Sequence, residues 1–351
     1  MKNRWHESGR VRISGKPVRA VALLSGGLDS TLAAAVVKAQ GIEVIGLRIR
    51  HLFDGGERRL SDVQRAVEQV GIRLRLLDLT EEQLEKVRNP RHGRGAGMNP
   101  CVDCRMLLLR AAKRVMKEEG AQFVITGEVL GQRPMSQHRG ALEIVAEESG
   151  LGDRLFRPLS AALLPETLPV REGWIRLEEL PTISGRGRKD QTALAERFGI
   201  VDYPQPAGGC LLAEKVYAAR LRDAFAHSDR ERMDVADFRL LGTGRHFRIS
   251  ERGKAIVGRN EEENRLLAEL ASDRTRLEPL DVMGPDSLVE GDPTEEEIRL
   301  IASLAGRYCD VLGGTRIRMR VITPIAERVL EVVPLAPDDP RIAAWRIGAA
   351  S

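Results

Sequence analysis

The stretch Leu23-Leu24-Ser25-Gly26-Gly27-Leu28-Asp29-Ser30 constrains this chain more than any other. Val18 to Leu24 is an apolar run with the pattern of a strand buried on both faces. Ser30 to Gln40 is alanine-rich and reads as a helix, with Asp29 or Ser30 placed to cap it. Gly26 and Gly27 lie between, where a tight turn lets backbone N–H groups converge. Strand, glycine turn and helix N-terminus together make an anion cradle, because unpaired amides and the helix dipole both favour phosphate. The spacing is too short for the G-x-x-x-x-G-K-[ST] loop, and its lysine is missing.

The alternation continues downstream. Strands are expected at Glu43–Ile49, Arg73–Leu79 and Gln122–Thr126. Helices are expected from Leu60 to Gly71 and over 105–119. This predicts an α/β fold with a parallel, Rossmann-like sheet, whose ligands sit beyond the carboxyl ends of the strands. Ser25 and Gly127-Glu128 both fall at such ends. A length of 351 residues exceeds one ordinary core, and the composition turns highly charged over Ala226–Asp237. The expected organisation is a basic extension over 1–16, the α/β domain over 17–230 and a smaller α+β domain over 235–351. In that last part, a hairpin about Gly253, a helix over Asn260–Ala271 and a Thr294–Glu297 capping box are expected.

No run approaches the roughly 20 apolar residues of a membrane span, and the first ten residues lack a signal-peptide core. The expectation is a cytoplasmic protein with no membrane partner. Four cysteines in such a chain are not a disulfide framework. Cys101-Val102-Asp103-Cys104 opens a helix after the glycine-rich, basic loop Arg88–Pro100, a setting that lowers thiol pKa. Cys210 follows Gly208-Gly209, while Cys309 reads as a packing residue. Three thiolates suit a [4Fe–4S] cluster with one open iron; with His92 as a fourth ligand they suit zinc.

Two basic features remain. Ser184-Gly185-Arg186-Gly187-Arg188-Lys189 is glycine-spaced and could bind phosphates through Arg186, Arg188 and Lys189 or only solvate a turn. Thr315–Ile322 alternates strictly and puts Arg316, Arg318 and Arg320 on one strand face. At about 6–7 Å apart, they match a polyphosphate backbone. With three Tyr and seven Phe in the chain, phosphate recognition is favoured over base stacking.

Ser25–Ser30 fits S-G-G-x-D-S at every fixed position and so resembles the pyrophosphate loop of the N-type ATP pyrophosphatases. With Asn99-Pro100-x-x-x-Cys104, Thr126-Gly127 and Gly208-Gly209-Cys210, residues 17–215 resemble the tRNA thiouridylases and 4-thiouridine synthetase-like proteins of that class. Val257-Gly258-Arg259-Asn260-x-x-x-Asn264 resembles the NFACT-type RNA-binding domain. The resemblance implies ATP-dependent thiolation of a tRNA uridine to 4-thiouridine or 2-thiouridine, with AMP and pyrophosphate released. Ser25, Gly26, Gly27, Asp29, Ser30 and Gly127 would bind ATP with Mg²⁺, and Asp29 would position metal or pyrophosphate. Cys104 and Cys210 fall on the two catalytic cysteines of the 2-thiouridylases, either as a persulfide relay or, with Cys101, as holders of a cluster. Cys101 departs from that pattern, standing where those relatives carry aspartate, and favours the iron–sulfur branch. The partners implied are tRNA and a sulfur donor, whether sulfide, a cysteine desulfurase or a relay protein; a homodimer is left open. The alternatives are sulfur transfer or amide ligation on a small molecule, and a non-catalytic RNA-binding protein with a lapsed ATP site.

Overall fold

The structure, a computed structural model, describes residues 9–134, 136–205, 210–312 and 314–348. The first half of the basic extension and the Gly208-Gly209 pair therefore lie outside the described residues. The chain divides into two compact units, residues 1–210 and 211–351.

The first unit is built on a five-stranded parallel sheet in the order β3-β2-β1-β4-β5. These strands are β1 (Arg19–Leu23), β2 (Glu43–Arg50), β3 (Arg73–Asp78), β4 (Phe123–Ile125) and β5 (Leu155–Phe156). Side chains alternate across β1 and feed two cores. Ala20 and Ala22 pack with α1 (Leu28–Ala39) and α2 (Gly56–Val70) on one side. Val21 packs with Met106, Leu109, Ala112 and Val115 of α4 (Cys101–Glu118) on the other; α3 (Thr80–Arg88) precedes α4. Both faces of β1 are thus covered, which is why it reads as a continuous apolar run. The expected parallel α/β sheet is the observed one. The two-residue β5 is absent from the strands read in the sequence because it is too short to leave a periodic signal.

Because β2 and β4 flank β1, the chain leaves the central strand in opposite directions in its two halves. A crevice therefore opens beyond the carboxyl ends of β1 and β4. α5 (Arg139–Glu148) and α6 (Lys189–Phe198) complete the unit.

The second unit opens with α7 (Lys215–His227) and α8 (Val235–Leu240). Its six-stranded antiparallel sheet runs in the order β11-β10-β8-β9-β7-β6. The strands are β6 (Arg245–Arg248), β7 (Gly253–Val257), β8 (Thr275–Pro279), β9 (Ser287–Gly291), β10 (Ile317–Ile322) and β11 (Glu327–Val332). α9 (Glu261–Glu269) is capped by Asn260, and α10 (Glu295–Gly306) by the expected Thr294–Glu297 capping box. α11 (Pro340–Trp345) closes the unit. The division between units precedes the charged stretch at 226–237 because α7 is bonded to α8 and the turn after it. The Tyr217 hydroxyl donates to the Phe238 carbonyl, and the buried Arg220 guanidinium donates to the carbonyls of Leu241 and Gly244.

Candidate active site

The glycine turn lies where β1 hands over to α1. Gly26 takes the left-handed φ of +76°, and a Cβ there would meet Cβ of Asp62 on α2 at 2.7 Å. The helix begins two residues earlier than the sequence suggests, at Leu28. Gly27 is its N-cap, with no side-chain cap, and Leu28, Asp29 and Ser30 form the first turn. Ser30 does not cap the helix in the ordinary way. Its hydroxyl donates to the Gly27 carbonyl at 2.9 Å and accepts from the Ser25 amide at 3.2 Å, drawing the two ends of the turn together. The Ser25 hydroxyl lies 3.2 Å from the Ser30 hydroxyl and accepts from the Gly27 amide. The result is a compact ring of hydroxyls and amides at a helix N-terminus, the chemistry a pyrophosphate needs.

Asp29 does not cap the helix because its carboxylate is occupied elsewhere. It accepts from the Gln132 side-chain amide at 3.1 Å and lies 3.9 Å from the Arg188 guanidinium. Its other oxygen is buried without a hydrogen-bond partner. The two loops that supply these groups are joined to each other: Leu130 bridges Ser184, and the Gly185 amide donates to the Leu130 carbonyl at 2.7 Å. The Ser160 hydroxyl ties both, accepting from the Leu130 amide and donating to the Ile183 carbonyl. Arg188, in the loop that the sequence marks as able to bind phosphates, thus stands at the glycine turn.

Gly127, two residues past β4, lies against the start of α1, where any Cβ would run into the backbone of Asp29 and Ser30. The next residue, Glu128, is buried between Arg157 at 2.9 Å and Arg105 at 3.2 Å, and accepts from the Thr126 hydroxyl at 3.0 Å. Burial pushes the Glu128 carboxyl up, but the two guanidiniums outweigh it and hold the group below its ordinary value. Arg105 comes from the first turns of α4, so this buried triad ties the cysteine helix to β4.

Cys101 and Cys104 occupy the first turn of α4. The Asn99 side-chain amide donates to the Cys101 sulfur at 3.0 Å. Burial pushes the Cys104 thiol up, against the opposing pull of Arg105 and a Gln83 hydrogen bond. Asp103 anchors the glycine-rich loop by accepting from the Arg91 and His92 amides at 3.1 and 2.9 Å. The two ring nitrogens of His92 face Asp103 and Glu148, both at 3.3 Å, so the ring is engaged with carboxylates rather than turned toward a thiol. Among the described residues, no three His, Cys, Asp or Glu side chains are gathered as ligands for a metal ion. Cys101 and Cys104 supply soft donors one turn apart, whereas the assembled three-cysteine set is not seen.

On β10 the expected alternation holds: Ile317, Met319 and Val321 are buried and Arg318 is exposed. The charges are partly spent. Arg318 is held in a two-pronged ion pair by Asp281, at 2.5 and 2.6 Å, and Arg316 lies 3.8 Å from Glu331. The sequence marks the Ser184–Lys189 loop as able to bind phosphates but does not pair Arg188 or Gln132 with Asp29, and it gives no sign of Arg105 and Arg157 as side chains of the site.

The fold and the glycine turn define the first unit as a parallel α/β domain with an anion cradle after its central strand. Residues 15–162 match the family model described as thiamine biosynthesis protein (ThiI), and residues 244–346 match that of the NFACT protein RNA binding domain. The chain is 30% identical over 174 residues to a "Probable tRNA sulfurtransferase" of Thermococcus kodakarensis, covering 48% of this chain and 44% of that protein. It is 29% identical over 260 residues to the tRNA-specific 2-thiouridylase MnmA of Xanthobacter autotrophicus, covering 67% and 62%. The chain thus spans less than two thirds of the length of these relatives. A solved 4-thiouridine synthetase–RNA complex with bound ATP is similar at 22% identity, with a TM-score of 0.33 and 52% of each chain covered. No helix among the described residues is long and apolar enough to cross a membrane.

Proposed function

We propose that this protein is an ATP-dependent tRNA sulfurtransferase. The observation that carries the reading is the convergence on Asp29: a pyrophosphate loop, Gln132 and Arg188 meet at one carboxylate, with Gly127 pressed against the same turn. Ser25, Gly26, Gly27 and Ser30 would hold the β- and γ-phosphates of ATP with amides and hydroxyls at the α1 N-terminus. The buried, unpartnered oxygen of Asp29 would hold a Mg²⁺ ion, which would supply positive charge to the phosphates, and Arg188 would neutralise charge on the departing pyrophosphate.

In this reading the uridine carbonyl oxygen attacks the α-phosphorus and pyrophosphate leaves. The oxygen becomes a good leaving group, so a sulfur nucleophile adds to the ring carbon and AMP departs, giving 4-thiouridine or 2-thiouridine. The base must leave its stack to be reached. Cys101, Cys104 and Cys210 are the thiols assigned to handling sulfur. Together they would hold a [4Fe–4S] cluster, which would supply iron-bound sulfide; in a relay, Cys210 would take sulfane sulfur from a donor persulfide and release the donor thiolate, the terminal sulfur would add to the activated ring carbon, and Cys104 would attack Cys210 to free it, leaving a Cys104–Cys210 disulfide that a reducing thiol restores. The sulfur comes from sulfide, a cysteine desulfurase or a relay protein, and the cytoplasm, with its tRNA and reduced thiols, is the compartment this chemistry requires. A reaction on a small molecule would leave residues 244–346, similar to an RNA binding domain, without a task.

The test is an anaerobic reaction of the protein with ATP, Mg²⁺, sulfide and unmodified tRNA, followed by mass spectrometry of the nucleosides. Thiouridine formed in step with AMP and pyrophosphate is expected. Pyrophosphate release that ignores tRNA, with no thiolated nucleoside, would overturn the reading.

A further inference from the structure

At one place the second unit gathers more guanidinium than it neutralises. Arg245 opens β6 with its guanidinium 4.6 Å above the Tyr308 ring and donates to the Gly258 carbonyl at 2.9 Å. Arg307 reaches the same ring at 5.5 Å. Arg346, bridged through its backbone to Phe247, lies 4.9 Å over that ring. Arg220, 5% exposed, donates to two backbone carbonyls and keeps a buried Nε with no partner.

These charges repel one another. Burial pulls the Arg346 guanidinium down, with Tyr308 opposing and Arg245 and Arg259 adding to it, while burial, Arg346 and Arg259 bring Arg220 down to about 10. Glu263, the carboxylate beside them, is committed to Arg259 at 2.8 Å. Among the described residues, Arg220, Arg245, Arg307 and Arg346 form no ion pair, whereas Arg248, Arg274, Arg318 and Arg328 of the same unit each do. Half-buried like charges without counterions are costly, and an arriving anion removes that cost. Aromatic faces hold the guanidinium planes in place without neutralising them, leaving their N–H edges available to phosphate oxygens.

The glycine of the Val257–Asn264 motif belongs to this construction. Gly258 has no room for a Cβ because Asn264 Oδ1 fills the space, and Asn264 in turn accepts from the Asp286 amide. The carbonyl that fixes Arg245 is thereby fixed itself.

We propose that Arg245, Arg307 and Arg346, stacked on Tyr308 and Phe247, form a phosphate-binding site through which the second unit grips an RNA backbone. The choice of RNA rests on the tRNA reading above and on the match of residues 244–346, which contain all three arginines, to an RNA binding domain.

The test uses the full chain and a tRNA transcript, with binding followed by fluorescence anisotropy across a salt series. The double variant Arg245→Gln/Arg346→Gln is expected to bind about tenfold or more weakly, and its log K against log salt slope falls by about two. Arg245→Lys/Arg346→Lys keeps the charges and is expected to keep the slope. A Gln variant with the parent's affinity and slope, or a Lys variant that loses the slope, overturns the proposal. It also falls if inorganic phosphate raises the melting temperature of the parent but not of the Gln variant while both bind tRNA equally, since the site then serves a small anion. If the parent binds tRNA through these arginines but makes no thiouridine, the tRNA-thiolation reading fails and the site stands. If the parent thiolates tRNA and the Gln variant binds as the parent does, the site fails alone.

Discussion

The Gln132 side-chain amide donates to the Asp29 carboxylate at 3.1 Å, joining the loop after β4 to the first turn of α1. One oxygen of that carboxylate is thereby oriented and the other is left buried and unpartnered. A hydrogen bond to a charged acceptor contributes about 1.5–3 kcal/mol. Gln132→Leu should therefore lower ATP-to-pyrophosphate turnover about 10- to 100-fold, while Asp29→Ala should abolish it. A pyrophosphate-release assay decides, and full turnover in Asp29→Ala would remove Asp29 from the reaction.

Gly127→Ala should be costly despite adding a single methyl. Its Cβ would meet the backbone of Asp29 and Ser30, which cannot swing aside like a flexible side chain. Overpacking of this kind costs about 1–3 kcal/mol. A lower melting temperature together with loss of ATP binding is expected. An unchanged melting curve would mean that β4 and α1 separate more easily than their packing implies.

Glu128→Gln leaves Arg105 and Arg157 facing a neutral amide, at a cost of about 3–5 kcal/mol near neutral pH. The Glu128 carboxyl lies below its ordinary 4.5 in the folded protein. A depressed carboxyl stabilises the fold above its unfolded pKa and loses that contribution as pH falls through the folded one. Urea unfolding should show the parent losing stability below about pH 4.5 more steeply than the variant. Parallel pH profiles would show that Glu128 titrates alike in the folded and unfolded chain.

Protein purified without oxygen is expected to carry about four iron and four sulfide per chain, the cluster stoichiometry, and to lose them in Cys101→Ala, Cys104→Ala or Cys210→Ala. Iron and sulfide analysis with visible absorption gives the result. Iron-free protein that still thiolates tRNA as Cys101→Ala, and fails as Cys210→Ala, would establish the relay instead.

Replacing Arg316, Arg318 and Arg320 together with Gln should reduce the salt slope of tRNA binding by less than the roughly 2.7 expected of three free phosphate contacts. Arg318 already has a counterion in Asp281, and Arg316 lies near Glu331. A full loss of slope in the same salt series would mean that RNA displaces both carboxylates.

What the sequence determined by itself was local. The glycine turn, the strand–helix alternation and the Thr294–Glu297 box are legible because their hydrogen bonds and packing periods close within a few residues. The alternation of β10 is legible for the same reason, since successive side chains of a strand face opposite ways. The pairing of its arginines with Asp281 and Glu331 is not, because strand neighbours are chosen by sheet order. Likewise, Asp29 met Gln132 and Arg188 only when β4 was laid beside β1 and the loops at 130 and 184 were bridged. The helix start at Leu28 is not legible either, because Gly27 is the N-cap without a side-chain bond and the Asp29 carboxylate is held by distant partners. Arg245, Arg307 and Arg346 share no motif or spacing. Their concentration of charge exists only where β6, the end of α10 and the residue after α11 pack around Tyr308 and Phe247, and electrostatic repulsion depends on distance in space rather than along the chain.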